Sequence, residues 1–179
     1  MPLVRLITFL LLVSASGRAQ SDSLYRFPQD YVGNWAGELA IYNAGGLAQA
    51  VPMQLRIQPL SDTAYTYGIV YGADEVTGLR DYIIVPGEAG PHHWICDERN
   101  TILLDGYYLG GVYQSVFAVQ GNYIVSTVER RGDELLYVIL AGKTEPARTT
   151  GGAMEKGEEI PEVASFPGTA LQRAVLRRK

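Results

Sequence analysis

The chain has 179 residues, with 15 Lys or Arg against 19 Asp or Glu and a single cysteine. Removing Arg5 and Arg18 with an N-terminal leader leaves 13 basic against 19 acidic residues, a net of −6. That balance argues against a nucleic-acid binder, because phosphate recognition needs Lys and Arg clustered on one face. With Cys96 alone no internal disulfide can form, so stability must come from a core, which about 160 mature residues suffice to build in one domain.

The first segment is read as a signal peptide over residues 1–19. Arg5 supplies the positive start, and Leu6 to Val13 form an apolar stretch interrupted only by Thr8. Gly17 and Ala19 then occupy the −3 and −1 positions of a small-x-small cleavage site. The stretch is shorter than the roughly 20 residues a spanning helix needs. The expectation is an exported protein, periplasmic or extracellular and soluble after cleavage, with no integral membrane segment. Residues 20–33 form a lead-in.

From residue 34 to 143 the chain divides into roughly nine strand-like runs separated by turn residues. They are Trp35 to Tyr42, Ala48 to Pro59, Thr63 to Tyr71, Arg80 to Val85, His92 to Glu98, Thr101 to Leu104, Val112 to Gln120, Tyr123 to Arg130 and Glu134 to Ala141. Gly121-Asn122 and Gly132-Asp133 are two-residue hairpin signals, since such residues tolerate positive φ. Links this short force antiparallel neighbours, because a parallel crossover needs a dozen or more residues. The expected fold is all-β: an antiparallel up-and-down barrel of about eight to ten strands, whose closure removes exposed edges.

Alternation assigns the faces. Trp35, Gly37, Leu39 and Ile41 share one side of the first run, and Met53, Leu55 and Ile57 one side of the second. In the third, Tyr65, Tyr67, Ile69 and Tyr71 oppose Thr66, Gly68, Val70 and Gly72. A tyrosine face opposite small residues suggests aromatics that line a cavity; the plainer alternative is core packing, since tyrosine is a good strand former. Arg80 and Asp97 or Glu98 are expected near one rim, as a clamp for a polar headgroup or as a structural ion pair.

Signs of catalysis and of metal binding are weak. Asp97 and Glu98, and likewise His92 and His93, are adjacent on a strand and point to opposite faces. Cys96 reads as a small buried hydrophobe. No G-x-S-x-G elbow, P-loop or H-E-x-x-H occurs. No catalytic residue, metal site or cofactor is assigned.

The C-terminal part changes character. Residues 144–168, rich in Gly, Glu, Pro and Thr, read as a polar linker without a core of its own. Residues 169–179 read as a short basic helix with Leu171, Val175 and Arg178 along one stripe and Thr169 as N-cap.

Gly33-Asn34-Trp35 at the first strand resembles the opening motif of lipocalins and the wider calycin superfamily. The resemblance implies a tryptophan plugging one end of the barrel, an arginine from a late strand over it (Arg130 or Arg131), and a cavity for hydrophobic or amphipathic ligands. The family's threonine-aspartate-tyrosine motif is not found; Arg80-Asp81-Tyr82 matches it in part and comes earlier. The resulting expectation is a barrel that binds a small apolar or amphipathic molecule without chemistry. Trp35, Tyr65, Tyr67, Tyr71, Tyr82 and Trp94 form its wall and Arg80 its polar anchor. Two alternatives stand beside it. One is an interaction module for an envelope protein, using a strand edge, the basic tail or a patch of Tyr107, Tyr108 and Tyr113. The other is a hydrolase or isomerase on the same barrel.

Overall fold

The computed structural model describes residues 25–179; the leader and residues 20–24 of the lead-in lie outside the described residues. A 3-10 turn, Gln29–Tyr31, precedes nine consecutive strands. These are β1 (Gly33–Asn43), β2 (Gly46–Ile57), β3 (Tyr65–Tyr71), β4 (Leu79–Pro86), β5 (His93–Asp97), β6 (Leu103–Leu109), β7 (Val112–Val119), β8 (Asn122–Arg131) and β9 (Glu134–Lys143). A one-turn helix α1 (Glu75–Gly78) joins β3 to β4. The short ribbons β10 (Arg148–Thr150) with β13 (Val163–Ser165) and β11 (Met154–Glu155) with β12 (Glu158–Glu159) follow, then β14 (Gly168–Arg178). The sheet is a closed barrel in the order β1-β14-β9-β8-β7-β6-β5-β4-β3-β2, antiparallel throughout.

The glycines set the hairpin turns, with one shift of position. Gly110 and Gly111 both have positive φ between β6 and β7, as a two-residue primed turn requires. Between β7 and β8 the turn residues are Gln120 and Gly121, both at positive φ, one position earlier than Gly121-Asn122. Strand β6 runs to Leu109, so Tyr107 and Tyr108 belong to the barrel wall.

The C-terminus departs from expectation most. Residues 168–178 are not a helix but the tenth barrel strand, with Leu39 opposite Ala174 on one side and Leu176 opposite Leu135 on the other. Ala174 and Leu176 are buried while Arg173, Val175 and Arg177 are exposed, a period of two. Leu, Gln, Arg and Ala favour helix locally. The open edges of β1 and β9 outweigh that preference, because each offers a full row of unpaired backbone groups. Residues 144–167 are likewise not a featureless linker but a double-ribbon excursion held by backbone pairing.

Inside the barrel, Trp35, Leu55, Ile57, Leu135 and Leu176 are fully buried at the end where β1 begins. Among the described residues no helix is long and apolar enough to cross a membrane.

Candidate functional site

One end of the barrel is plugged from within the chain. Phe27 stacks on Tyr113 with ring centres 4.1 Å apart, and Tyr31 meets Phe27 edge-on at 5.1 Å. The Trp35 indole N–H donates to the Tyr31 carbonyl at 2.9 Å, and the Tyr31 hydroxyl donates to the Gly111 carbonyl at 2.9 Å. The same hydroxyl accepts the Arg130 backbone N–H at 3.0 Å. Two guanidinium groups cover Trp35: Arg178 lies 4.6 Å from the ring centre and Arg130 5.8 Å. Arg130 also donates to the Asp30 carbonyl and lies 4.4 Å over the Tyr25 ring. Arg131 instead pairs with Glu129 at 2.7 Å. The closer arginine, Arg178, belongs to the strand whose composition concealed it.

Above this plug lies a cavity of about 220 Å³. Tyr67, Ile69 and Tyr71 of β3 form one wall, with Tyr82 of β4 and Cys96 of β5 beside them. Tyr113, Ser115 and Phe117 of β7 form the opposite wall, continued by Ile124 and Ser126 of β8, Tyr137, Ile139 and Ala141 of β9 and Gln172 of β14. It reaches the open end of the barrel at Tyr71, Glu98 and Gln172, where a groove of about 540 Å³ shares Tyr71, Ile139 and Gln172 and adds Ile41, Gln49, Val51 and Arg80.

The expected wall residues divide. Tyr67, Tyr71 and Tyr82 line the cavity and Arg80 the rim groove. Tyr65 and Trp94 are buried below it, 6.3 Å apart edge-to-face, and Trp35 belongs to the plug. Arg80 donates to the carbonyls of Thr77 and Leu79 and makes no ion pair with Asp97 or Glu98. Arginine–carboxylate pairs at this rim are instead Arg99 with Asp81 and Arg56 with Glu75, each at 2.6 Å. Tyr113, Tyr137 and Gln172 went unrecognised as wall residues. Strict alternation in β7 and β9 marks the first two, whereas nothing local marks Gln172 within an apparent helix.

The cavity holds its hydroxyl and thiol groups in their neutral form. Burial raises Tyr67 and Tyr137 well above the usual tyrosine value and pushes Tyr82 up to about 12. Burial, helped by Glu98 and Asp97, pushes the Cys96 thiol up to about 12. The hydroxyls of Tyr71 and Tyr137 bond to each other at 3.1 Å. The Tyr113 hydroxyl and the Trp94 indole N–H are buried without a hydrogen-bond partner.

The remaining chemistry-bearing side chains are occupied elsewhere. His93 Nδ1 accepts the Ala89 backbone N–H at 3.1 Å, which leaves Nε2 to donate to Asp105 at 2.8 Å. Ser115 donates to the Asp105 carbonyl at 2.6 Å, not to the histidine. Among the described residues no three His, Cys, Asp or Glu side chains gather into a metal site. The tyrosine patch expected outside does not exist: Tyr113 is buried, Tyr108 packs against the core, and Tyr107 stacks on His93 at 4.8 Å.

What fold and site define is a closed ten-stranded antiparallel barrel, plugged at one end and hollow toward the other. Compared with known proteins, the chain matches no family model and no curated protein.

Proposed function

We propose that the protein is an exported, lipocalin-like barrel that holds a small apolar or amphipathic molecule without transforming it. The observation that carries this reading is the tyrosine-lined cavity with its single open end. Further support comes from the plug, where Arg130 lies over Trp35 as the lipocalin resemblance implies, joined by Arg178, which that resemblance does not point to. The leader pattern supports export.

The volume sets the size of the guest. About 220 Å³ lies below the roughly 300 Å³ at which pockets for drug-sized ligands begin. The guest is therefore smaller, or keeps one end in the rim groove beside Arg80. Cavity and groove together favour an apolar body with a polar end, for which Arg80 offers planar hydrogen bonding. Binding rather than catalysis is supported by a thiol held protonated and a histidine with both nitrogens engaged.

Native mass spectrometry of the mature protein from its own host tests the reading. A stoichiometric small molecule, lost on Tyr67→Ala or Arg80→Ala, is expected. A clean apo mass with no thermal shift across a panel of lipids and hydrophobes would sink it.

A further inference from the structure

The open end of the barrel differs chemically from the plugged end. Five connections meet there: the β1–β2 turn, the α1 loop, the β5–β6 loop, the β7–β8 turn and the excursion after β9. Each presents a large apolar side chain to solvent: Leu47 is 60% exposed, Val76 90% and Leu103 61%, with Val119 and Phe166 about half exposed. Among the described residues the connections of the plugged end present Leu60 and Leu109 at comparable exposure, while Val116 and Val175 are exposed on the outer walls of β7 and β14. Other exposed side chains of the plugged end include Arg26, Arg131, Asp133, Arg177 and Lys179.

The β1–β2 hairpin is the extreme case. From Leu39 to Leu55 there is no Asp, Glu, Lys, Arg or His, yet residues 43–50 are all exposed. β2 meets β3 only from Pro52, whose carbonyl accepts the Gly72 N–H, onward, so Gly46 to Val51 project past that wall. Exposed strand edges are ordinarily guarded by charge. This one has Pro52 at its base and nothing else.

We propose that the mouth of the barrel docks onto a zwitterionic lipid surface. The apolar tips are spread over all five connections of the mouth, so a flat apolar partner suits them better than a narrow one. A second copy pairing along β2 would cover Leu47 and leave Val76, Leu103 and Val119 in water. The sign of the charge selects the lipid: Asp74, Glu75, Asp81, Asp97, Glu98 and Glu145 exceed Arg80, Arg99, Lys143 and the Arg56 that pairs with Glu75 around the mouth, whereas anionic surfaces attract basic clusters. The basic residues of the plugged end face away. The inference goes beyond the carrier reading and stands without it, though together they let an amphipathic guest enter the cavity without crossing water.

Co-sedimentation of the mature chain with phosphatidylcholine vesicles is the test. The protein is expected in the pellet, with partitioning reduced about tenfold or more by Leu47→Asp together with Val76→Asp. Both side chains are open to solvent, so the thermal midpoint should not move. Replacing part of the phosphatidylcholine by phosphatidylglycerol should weaken binding. Protein left in the supernatant, binding indifferent to both substitutions, or binding that grows with phosphatidylglycerol would overturn the proposal. So would a vesicle-free dimer that Leu47→Asp dissociates, which would assign the hairpin to a second copy. Guest capture is read separately, without vesicles, so an empty cavity would defeat the carrier reading alone.

Discussion

Trp35 ties the plug to the barrel through three kinds of contact: complete burial, one hydrogen bond to the Tyr31 carbonyl and two flanking guanidiniums. Trp35→Ala should cost about 3–5 kcal/mol, the usual range for a large core aromatic. Arg178→Ala should cost less, about 0.5–1 kcal/mol, since it removes a cation–π contact at an exposed site. Urea unfolding of both variants checks the order; an equal or inverted pair would show that the indole is not the anchor. The buried acids give a pH dependence of definite sign. Cys96 rises from its ordinary 9.0 to about 12 on folding, and Tyr82 from 10.0 to about 12. The folded state therefore holds protons that the unfolded chain releases. This stabilisation is complete below pH 9 and disappears as the pH climbs toward 12, at about 1.4 kcal/mol per unit for a thiol shifted in this way. The tyrosines buried beside the cavity add to the same fall. The urea midpoint should hold steady from pH 7 to 9 and then drop; a midpoint that rises above pH 9 would contradict the burial.

At the scale of elements, the barrel rests on a seam between the first and last strands. Gly37 of β1 faces β14 so closely that an added Cβ would strike the Val175 carbonyl. Gly37→Ala should therefore destabilise by more than the few tenths of a kcal/mol typical of a surface change. Removing residues 168–179 should be far worse, because it exposes both β1 and β9. A truncated chain is expected to lose its cooperative melt and its near-ultraviolet circular dichroism; a sharp transition would mean that nine strands close alone. This seam also separates what sequence could reveal from what it could not. The alternations Trp35-Gly37-Leu39 and Met53-Leu55-Ile57 give strand and face directly, and the tyrosines of β3 point to the cavity two of them line. Residues 171–178 combine good helix formers with an arginine-rich end, and only the unpaired edges of their neighbours make them a strand. Once that strand is missed, Arg178 over Trp35 and Gln172 in the cavity are lost as well. Arg80 stands at the rim, but its expected pairing with Asp97 or Glu98 does not form. The β4–β5 register sets Ile83 opposite Asp97, so the carboxylate partner passes to Arg99 across from Asp81.

For the whole molecule, the plug and the mouth divide the labour. With Phe27, Tyr31 and Trp35 filling one end, a guest of the proposed carrier would enter past Tyr71, Glu98 and Gln172. Ala141 lies on the inner face of β9 near that entrance, between Ile124 and Ala170 on the adjacent strands. Ala141→Phe places a ring in the void without touching the exposed tips. Filling empty space usually preserves or raises stability, so the thermal midpoint should hold while uptake of a small fluorescent hydrophobe disappears. Vesicle binding should be untouched, because the collar of Leu47, Val76 and Leu103 is unchanged. The reciprocal variant, Leu47→Asp with Val76→Asp, should keep uptake of the probe from solution and lose the vesicles. If Ala141→Phe leaves uptake intact, the probe does not occupy the barrel interior. If either variant loses both properties while remaining folded, cavity and collar are not separable parts, and carriage and docking would have to be one event at the rim.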